Sequence, residues 1–344
     1  MVKLFNREWS KTELLSHVGQ MDQLAGICLL EAGDGKARGC RVLDVWTGTG
    51  LRFQINAERA LDISSCDFKG MPVAWRSPTG NVHPAYFEPQ GLGWLRSFNG
   101  GLLMTCGLDH FGLPSQDGDN ELGLHGRISN IPASQVNYRT FWSGDDYLLE
   151  ITGETRQATV FGENLVLRRR ISTALGSNRI DIEDVVTNDG FEPAPHMLLY
   201  HFNLGFPLVS ENTRLNLQAQ ETLPRNEDAQ SGMAEWDCFQ VPTAGYREQV
   251  FIHRPKADKD GIATVELNNP QIGIGLRWKY GVANLPYLME WKMMGEGTYV
   301  VGVEPANCNG LAGRPATREL GQLPMLEPGE SRDYHIDVEV LISA

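Results

Sequence analysis

The chain of 344 residues carries 30 lysines and arginines against 43 aspartates and glutamates, for a formal net charge of −13, and 41% of it is hydrophobic. This is an ordinary globular composition, and with no basic block longer than Arg168-Arg169-Arg170 it lacks the electrostatic footprint of a nucleic-acid binder. No apolar run approaches the ~18 residues of a membrane span and no secretory core follows the first basic residues, so the sequence predicts a cytoplasmic protein with neither nucleic acid nor membrane as partner.

In chain order the first predicted element is a helix. Ser10 with Glu13 makes a capping-box pattern, and Leu14, Val18, Met21 and Leu24 follow at helical spacing. From Cys40 onward the pattern changes to short runs rich in β-branched and aromatic residues. They are separated by turn sequences such as Ser77-Pro78-Thr79-Gly80, Ser143-Gly144-Asp145, Gly176-Ser177-Asn178 and Glu327-Pro328-Gly329. That punctuation predicts an all-β sandwich or barrel. The clearest hairpin joins residues 165–175, through Gly176-Ser177-Asn178, to a return strand with Ile180, Ile182 and Val186 at even steps. The 37 glycines and 18 prolines are spread along the chain, with no concentrated linker and no repeat. The expectation is one large β domain at residues 40–344, preceded at residues 1–39 by a helical appendage and first strand.

Six scattered cysteines, Cys28, Cys40, Cys66, Cys106, Cys238 and Cys308, show no C-x-x-C and no zinc spacing, and are read as reduced structural thiols. Gly48-Thr49-Gly50 lacks the third glycine of a dinucleotide fingerprint, and neither a phosphate-binding loop nor a G-x-S-x-G elbow occurs.

Three segments carry candidate chemistry. In Leu122-Gly123-Leu124-His125-Gly126-Arg127, glycines about a histidine would let a ligand approach, with a planar donor at Arg127. In the run from Leu198 to Gly205, an extended strand puts Leu199, His201 and Asn203 on one face and Tyr200, Phe202 and Leu204 on the other. In the run from Tyr299 to Asn307, Glu304 ends an apolar strand two residues past Gly302 on the same face, where a carboxylate is tunable as a base. His201 and Glu304 are together the acid/base pair that a proton-shuttling site needs. The alternative is a hydrogen-bonded core histidine and a strand-end surface glutamate. Arg59, Arg96 and Arg127 lie in charge-poor segments and are candidate ligands for a carboxylate, phosphate, sulfonate or vicinal hydroxyls, with Asp62 beside Arg59; an equal alternative pairs Arg59 with Asp62 or another carboxylate as a buried ion pair. His125, His201 and Glu304 are also the residue types of a two-histidine, one-carboxylate metal site, although no H-x-H or H-x-x-x-H pair is present.

At these segments the chain resembles the aldose 1-epimerase (galactose mutarotase-like) superfamily, and within it a poorly characterised bacterial branch. The resemblance runs from about Arg41 to Val340. It is carried by Glu58-Arg59-Ala60-Leu61-Asp62-Ile63, Gly93-Trp94-Leu95-Arg96-Ser97-Phe98-Asn99-Gly100-Gly101-Leu102, Thr105-Cys106-Gly107-Leu108, Gly123-Leu124-His125-Gly126-Arg127, Tyr200-His201-Phe202-Asn203-Leu204-Gly205, Gly302-Val303-Glu304-Pro305 and Leu326-Glu327-Pro328-Gly329-Glu330. The resemblance implies a galactose mutarotase-like β-supersandwich. It further implies Glu304 as general base, His125 as the earlier sugar-binding histidine and Arg96 as the sugar-binding arginine. The family's general acid falls about three residues before Phe-Asn-Leu, where this chain has leucine, and His201, directly before Phe202, faces the same way.

The implied reaction is mutarotation, with a carboxylate and an imidazolium drawn together so that the glutamate pKa falls and the histidine pKa rises. It requires no metal and no organic cofactor. Asn203 and the indoles of Trp75, Trp94 and Trp291 are further candidates for holding the sugar, the indoles through its apolar face or, alternatively, through core packing alone. The expected partner is a small sugar, neutral or anionic, and the expected state a monomer or homodimer. Two alternatives remain at this level: a non-catalytic sugar-binding or sensor protein, and another sugar isomerase or lyase on the same scaffold.

Overall fold

The capping box forms as the sequence predicts: Ser10 Oγ accepts from the Glu13 amide at 3.3 Å, and the Glu13 carboxylate accepts from the Ser10 amide at 2.8 Å. In the computed structural model, which describes residues 1–342, this helix is shorter than the apolar spacing suggests. It runs Lys11–His17, Val18 is extended, and Met21–Gln23 is a separate 3-10 turn. A β-branched residue followed by Gly19 is a poor pair for propagating a helix. Leu14 is still buried, and Met21 and Leu24 still pack against the core.

The rest of the chain is mostly strand and turn, with two short helices at Glu227–Ser231 and Arg314–Glu319. An eight-stranded antiparallel sheet has the spatial order Ser134–Ser143, Asp146–Ala158, Asn164–Ala174, Arg179–Asn188, Ser331–Ile342, Ile274–Gly281, Ile262–Asn269, Arg214–Leu217. A six-stranded sheet has the order Ala219–Pro224, Gln249–Pro255, Tyr287–Gly295, Thr298–Ala306, Leu199–Gly205, Leu103–Cys106. A five-stranded sheet begins at Gly26–Glu31, which pairs along its length with Arg41–Trp46. The predicted hairpin is present, with Ile171 opposite Ile182 and Leu167 opposite Val186. In its turn Gly176 has φ +82°, and a Cβ there would press to 2.7 Å on the Lys3 carbonyl.

Period-two alternation decides which faces meet. Tyr200, Phe202 and Leu204 from the six-stranded sheet, Ile182 and Trp278 from the eight-stranded sheet, and Leu43 and Phe53 from the five-stranded sheet share one core. Burying each such side chain contributes roughly 1.5–3 kcal/mol. Leu199, on the opposite face of its strand, belongs to a second apolar cluster with Trp94, Phe98, Phe111, Met289 and Leu311. The six-stranded sheet therefore has apolar packing on both faces, and its second face positions the site. Among the described residues all six cysteines are free, and no helix is long and apolar enough to cross a membrane.

Candidate active site

Strand Leu199–Gly205 pairs antiparallel with Thr298–Ala306, with Phe202 opposite Val303 and Asn203 opposite Gly302. That register sets His201 across from Glu304, and directly opposed side chains on one face lie within reach of each other. His201 Nε2 and Glu304 Oε1 are 3.2 Å apart, and both side chains are buried. The third predicted residue joins them from a loop. The His125 ring lies 5.8 Å from the His201 ring in an edge-on arrangement.

His125 sits at φ +57°, a left-handed conformation that costs a non-glycine residue of order 1–3 kcal/mol and is held here by main-chain bonds. Its amide donates to the Gly112 carbonyl at 3.0 Å and its carbonyl accepts from Gly107 at 3.1 Å. The flanking glycines serve this packing rather than ligand approach: a Cβ on Gly126 or Gly123 would collide with the carbonyls of Gly107 and His110, or of Pro89.

These three side chains form the floor of a cavity of about 580 Å³. Trp94, Phe98, Trp75 and Trp291 wall it; Phe98 and Trp291 lie 5.2 and 5.5 Å from the His201 ring, and Trp94 lies 4.7 Å from His125. On one flank Arg225 donates to Glu248 at 2.7 Å, and Glu248 accepts from Trp291 Nε1 at 2.9 Å, which fixes the indole. Sequence reasoning missed Arg225 and Glu248. Neither belongs to a motif, and only the pairing of Ala219–Pro224 with Gln249–Pro255 brings them together. A second depression, of about 720 Å³, lies over Asp181, Lys279, His335 and Asp337, where most charges are paired with each other, as in Arg179–Asp337 at 2.5 Å.

Burial governs the electrostatics of the floor. It pushes the His201 imidazole down to about 3 and the His125 imidazole well below its ordinary value. Burial, reinforced by the Glu248 carboxylate, holds Glu304 well above the usual carboxylate range, against a smaller opposing pull from Arg225. These directions are opposite to those expected from mutual attraction of an ion pair. Desolvation of two groups enclosed by indoles outweighs their attraction, and burial favours the uncharged imidazole and the uncharged carboxylic acid. Glu304 Oε1, His201 Nδ1 and His125 Nδ1 have no hydrogen-bond partner.

Trp291, Trp75 and Trp94 thus join the three floor residues, whereas the other predicted ligands do not. Arg59 is buried away from the cavity and donates to the main-chain carbonyls of Ser129, Val82 and Ser97, the last two at 3.0 Å. Asp62 is not its partner; it accepts from Arg169 at 2.9 Å and from Thr105 Oγ1 at 2.6 Å. Arg96 points to solvent and pairs with Glu88 at 3.2 Å, and Arg127 is exposed. Asn203 is buried beneath the cavity, its amide donating to the His201 carbonyl at 2.8 Å. An arginine in a charge-poor segment marks a stabilising role here as readily as a binding one. Among the described residues no group of three or more histidine, cysteine or acidic side chains has metal-holding geometry, so the two-histidine, one-carboxylate alternative gains no support.

Residues 37–340 match the model of a family described as a domain of unknown function, DUF4432. The chain belongs to this family. Among solved structures, this DUF4432 chain is similar to a protein of Klebsiella pneumoniae subsp. pneumoniae MGH 78578 described as a candidate aldose 1-epimerase. The two are 27% identical with a TM-score of 0.89, over 94% of this chain and 86% of that one. It is similar also to a galactose mutarotase-like protein of Clostridium acetobutylicum (13% identity, TM-score 0.66, 93% and 99% covered). A galactose 1-epimerase of Lactobacillus acidophilus NCFM gives 13% identity and a TM-score of 0.59, with 93% and 100% covered. At such identities the last two report on fold alone, and the DUF4432 chain has the galactose mutarotase-like β-sandwich fold that its sequence predicted. No curated protein matches it significantly.

Proposed function

We propose that the chain is an aldose 1-epimerase, interconverting sugar anomers by general acid/base ring opening. The observation that carries this reading is the 3.2 Å approach of His201 Nε2 to Glu304 Oε1 on the floor of an aromatic-walled cavity. The likeness to the K. pneumoniae protein supports the same reaction class.

The pair holds one transferable proton, and burial favours its uncharged form as the starting state. Glu304 donates its proton to the ring oxygen while His201 takes the proton of the anomeric hydroxyl. The C1–O bond of the ring breaks and an open-chain aldehyde forms, leaving carboxylate and imidazolium. After rotation about C1–C2, the carboxylate removes the proton of the ring-closing hydroxyl as that oxygen attacks the other face of C1. The imidazolium returns its proton to the former carbonyl oxygen. Every proton is restored and only the configuration at C1 has changed. Compared with the order expected from an ion pair, the two residues exchange roles, while His125 and the indoles hold the sugar.

Exchange spectroscopy of anomeric protons, on a panel of neutral and anionic aldoses, tests the proposal. One sugar should exchange faster with the protein present. The rate should be level from pH 7 to pH 5, because His201 stays neutral well below the range in which a free imidazole titrates. Glu304→Gln and His201→Asn should fold and lose turnover by at least about 10²-fold. An active Glu304→Gln protein would end the acid/base proposal, and saturable binding without exchange would identify a binding protein instead.

A further inference from the structure

The cavity's polar capacity is unevenly distributed. At the floor, the unpartnered atoms of Glu304, His201 and His125 await hydrogen bonds. Elsewhere part of the polar lining is already engaged. Ser77 Oγ donates to the Phe98 carbonyl at 2.5 Å and is shared with Thr79 Oγ1 at 2.9 Å, while Thr79 Oγ1 also reaches the Phe98 and Gly80 carbonyls. On one flank the Trp291 indole N–H is taken up by Glu248, which also accepts from Arg225.

The mouth is apolar. Leu92, Leu95 and Leu113 line the cavity and are 59%, 47% and 49% exposed, and Val250, Leu124 and Leu311 continue the apolar wall inward. Isolated leucines at a surface mean little, but three converging on one opening above an aromatic cage form a surface that an apolar ligand group would cover. Each hydroxyl of a fully hydroxylated hexose brings a donor and acceptor sites that must be satisfied once water is displaced. The floor can satisfy those at the reacting end. The leucine side chains of the mouth offer no hydrogen bond to one at the far end.

We infer that the ligand of this cavity is a deoxygenated aldose, polar around its anomeric carbon and carrying a methyl group in place of the terminal hydroxymethyl. This rests on the reading of the site as a sugar epimerase but goes beyond it, because that reaction places no demand on the far end of the sugar. A pocket that makes no bond to a hydroxyl discriminates against it by about tenfold to a hundredfold, which sets the expected size of the preference.

The test uses matched pairs of free sugars that differ only at the terminal carbon: D-galactose with D-fucose, D-glucose with D-quinovose, and L-mannose with L-rhamnose. Two readouts are taken on the intact protein. Binding is followed by quenching of tryptophan fluorescence, since Trp75, Trp94 and Trp291 wall the cavity; turnover is followed by anomeric proton exchange. The methyl-ended member of at least one pair should bind and exchange tenfold to a hundredfold better. Leu92→Ser with Leu113→Ser, both at exposed positions that folding tolerates, should shrink that preference to threefold or less. If hexoses exchange as well as their deoxy partners in every pair, the inference is overturned while the epimerase reading survives. If a deoxy sugar binds preferentially and nothing exchanges, the inference survives and the epimerase reading falls. No binding and no exchange by any of the six sugars overturns both.

Discussion

Replacing Gly302 by alanine separates the placement of Glu304 from its chemistry. The two residues share a face of strand Thr298–Ala306. An alanine Cβ would lie 3.0 Å from Trp291 Cβ and 3.2 Å from Glu304 Cδ, and closer still to Glu304 Oε1. The Trp291 main chain is held in the sheet opposite Gly302, so the carboxylate is the part that yields. Its oxygen must withdraw by about 1 Å to regain ordinary contact, and that oxygen is the one that meets His201. A misplacement of this size at reacting groups costs about 10²-fold in rate. Gly302 is not in a left-handed conformation, so alanine fits the backbone, and leaving glycine within a strand even favours the folded state by roughly 0.5–1 kcal/mol. The expected phenotype is a catalytic defect without a folding defect, read as anomeric exchange rate beside thermal midpoint. Activity within about threefold of the parent, at an unchanged midpoint, would show that the His201–Glu304 approach does not set the rate.

Charge neighbours of Glu304 should move its titration in opposite senses. Glu248→Gln removes a like charge and should shift the alkaline limb of the pH–rate profile to lower pH, whereas Arg225→Gln should shift it to higher pH; parallel shifts would refute the assignment of that limb to Glu304. Arg96→Ala and Arg127→Ala should leave KM and kcat unchanged in steady-state assays, because both side chains point away from the cavity. Arg59→Met should instead cost about 3 kcal/mol or more in urea denaturation, by stranding three buried carbonyls. His196, fully buried between the Leu108 carbonyl and the Tyr334 hydroxyl, is pushed by burial down to about 4. Its neutral form is favoured in the folded state, so its contribution is full above about pH 6.5 and is lost as pH falls toward 4. That amounts to about 2 kcal/mol between pH 7 and pH 5, and His196→Gln should flatten that part of the stability–pH curve.

The strand architecture was legible because alternation and turn chemistry are local. Residues 165–175 and their return strand announce a hairpin by period two, and the Gly176 turn needs only the residues that form it. The helix was overread because apolar spacing at Val18, Met21 and Leu24 outlasts the backbone's willingness to stay helical past Val18-Gly19. At the site, the facing of His201 and Glu304 followed from strand alternation within each segment. Their opposition depends on a register between segments about a hundred residues apart, which no local pattern encodes. The arginines failed for a related reason. A guanidinium reads the same in sequence whether its partners are a ligand, three carbonyls as for Arg59, or solvent and Glu88 as for Arg96. Arg225, the cavity's arginine, had no glycine or aromatic neighbour to single it out.

The two faces of strand Leu199–Gly205 carry the strongest argument for where function lies. Tyr200 points into the core and donates to Asp184 at 2.8 Å; Asp184 accepts twice from Arg169, and Arg169 reaches on to Asp62. Each charge buried in that network is compensated, as the cost of desolvation requires. One residue later, His201 points into the cavity, where it, Glu304 and His125 keep unpartnered atoms. The same strand thus has a paired network on one face and open polar atoms on the other, within about 4 Å of main chain. Buried polar atoms without partners cost about 1–3 kcal/mol each, and a fold able to pair Asp62, Arg169 and Asp184 so fully has the means to avoid that cost. The open atoms of His201, Glu304 and His125 belong to side chains that border one cavity, so their cost is recovered when a ligand supplies the missing bonds. On the proposed reading, these open atoms of Glu304 and His201 are where a sugar's ring oxygen and anomeric hydroxyl would complete a proton circuit.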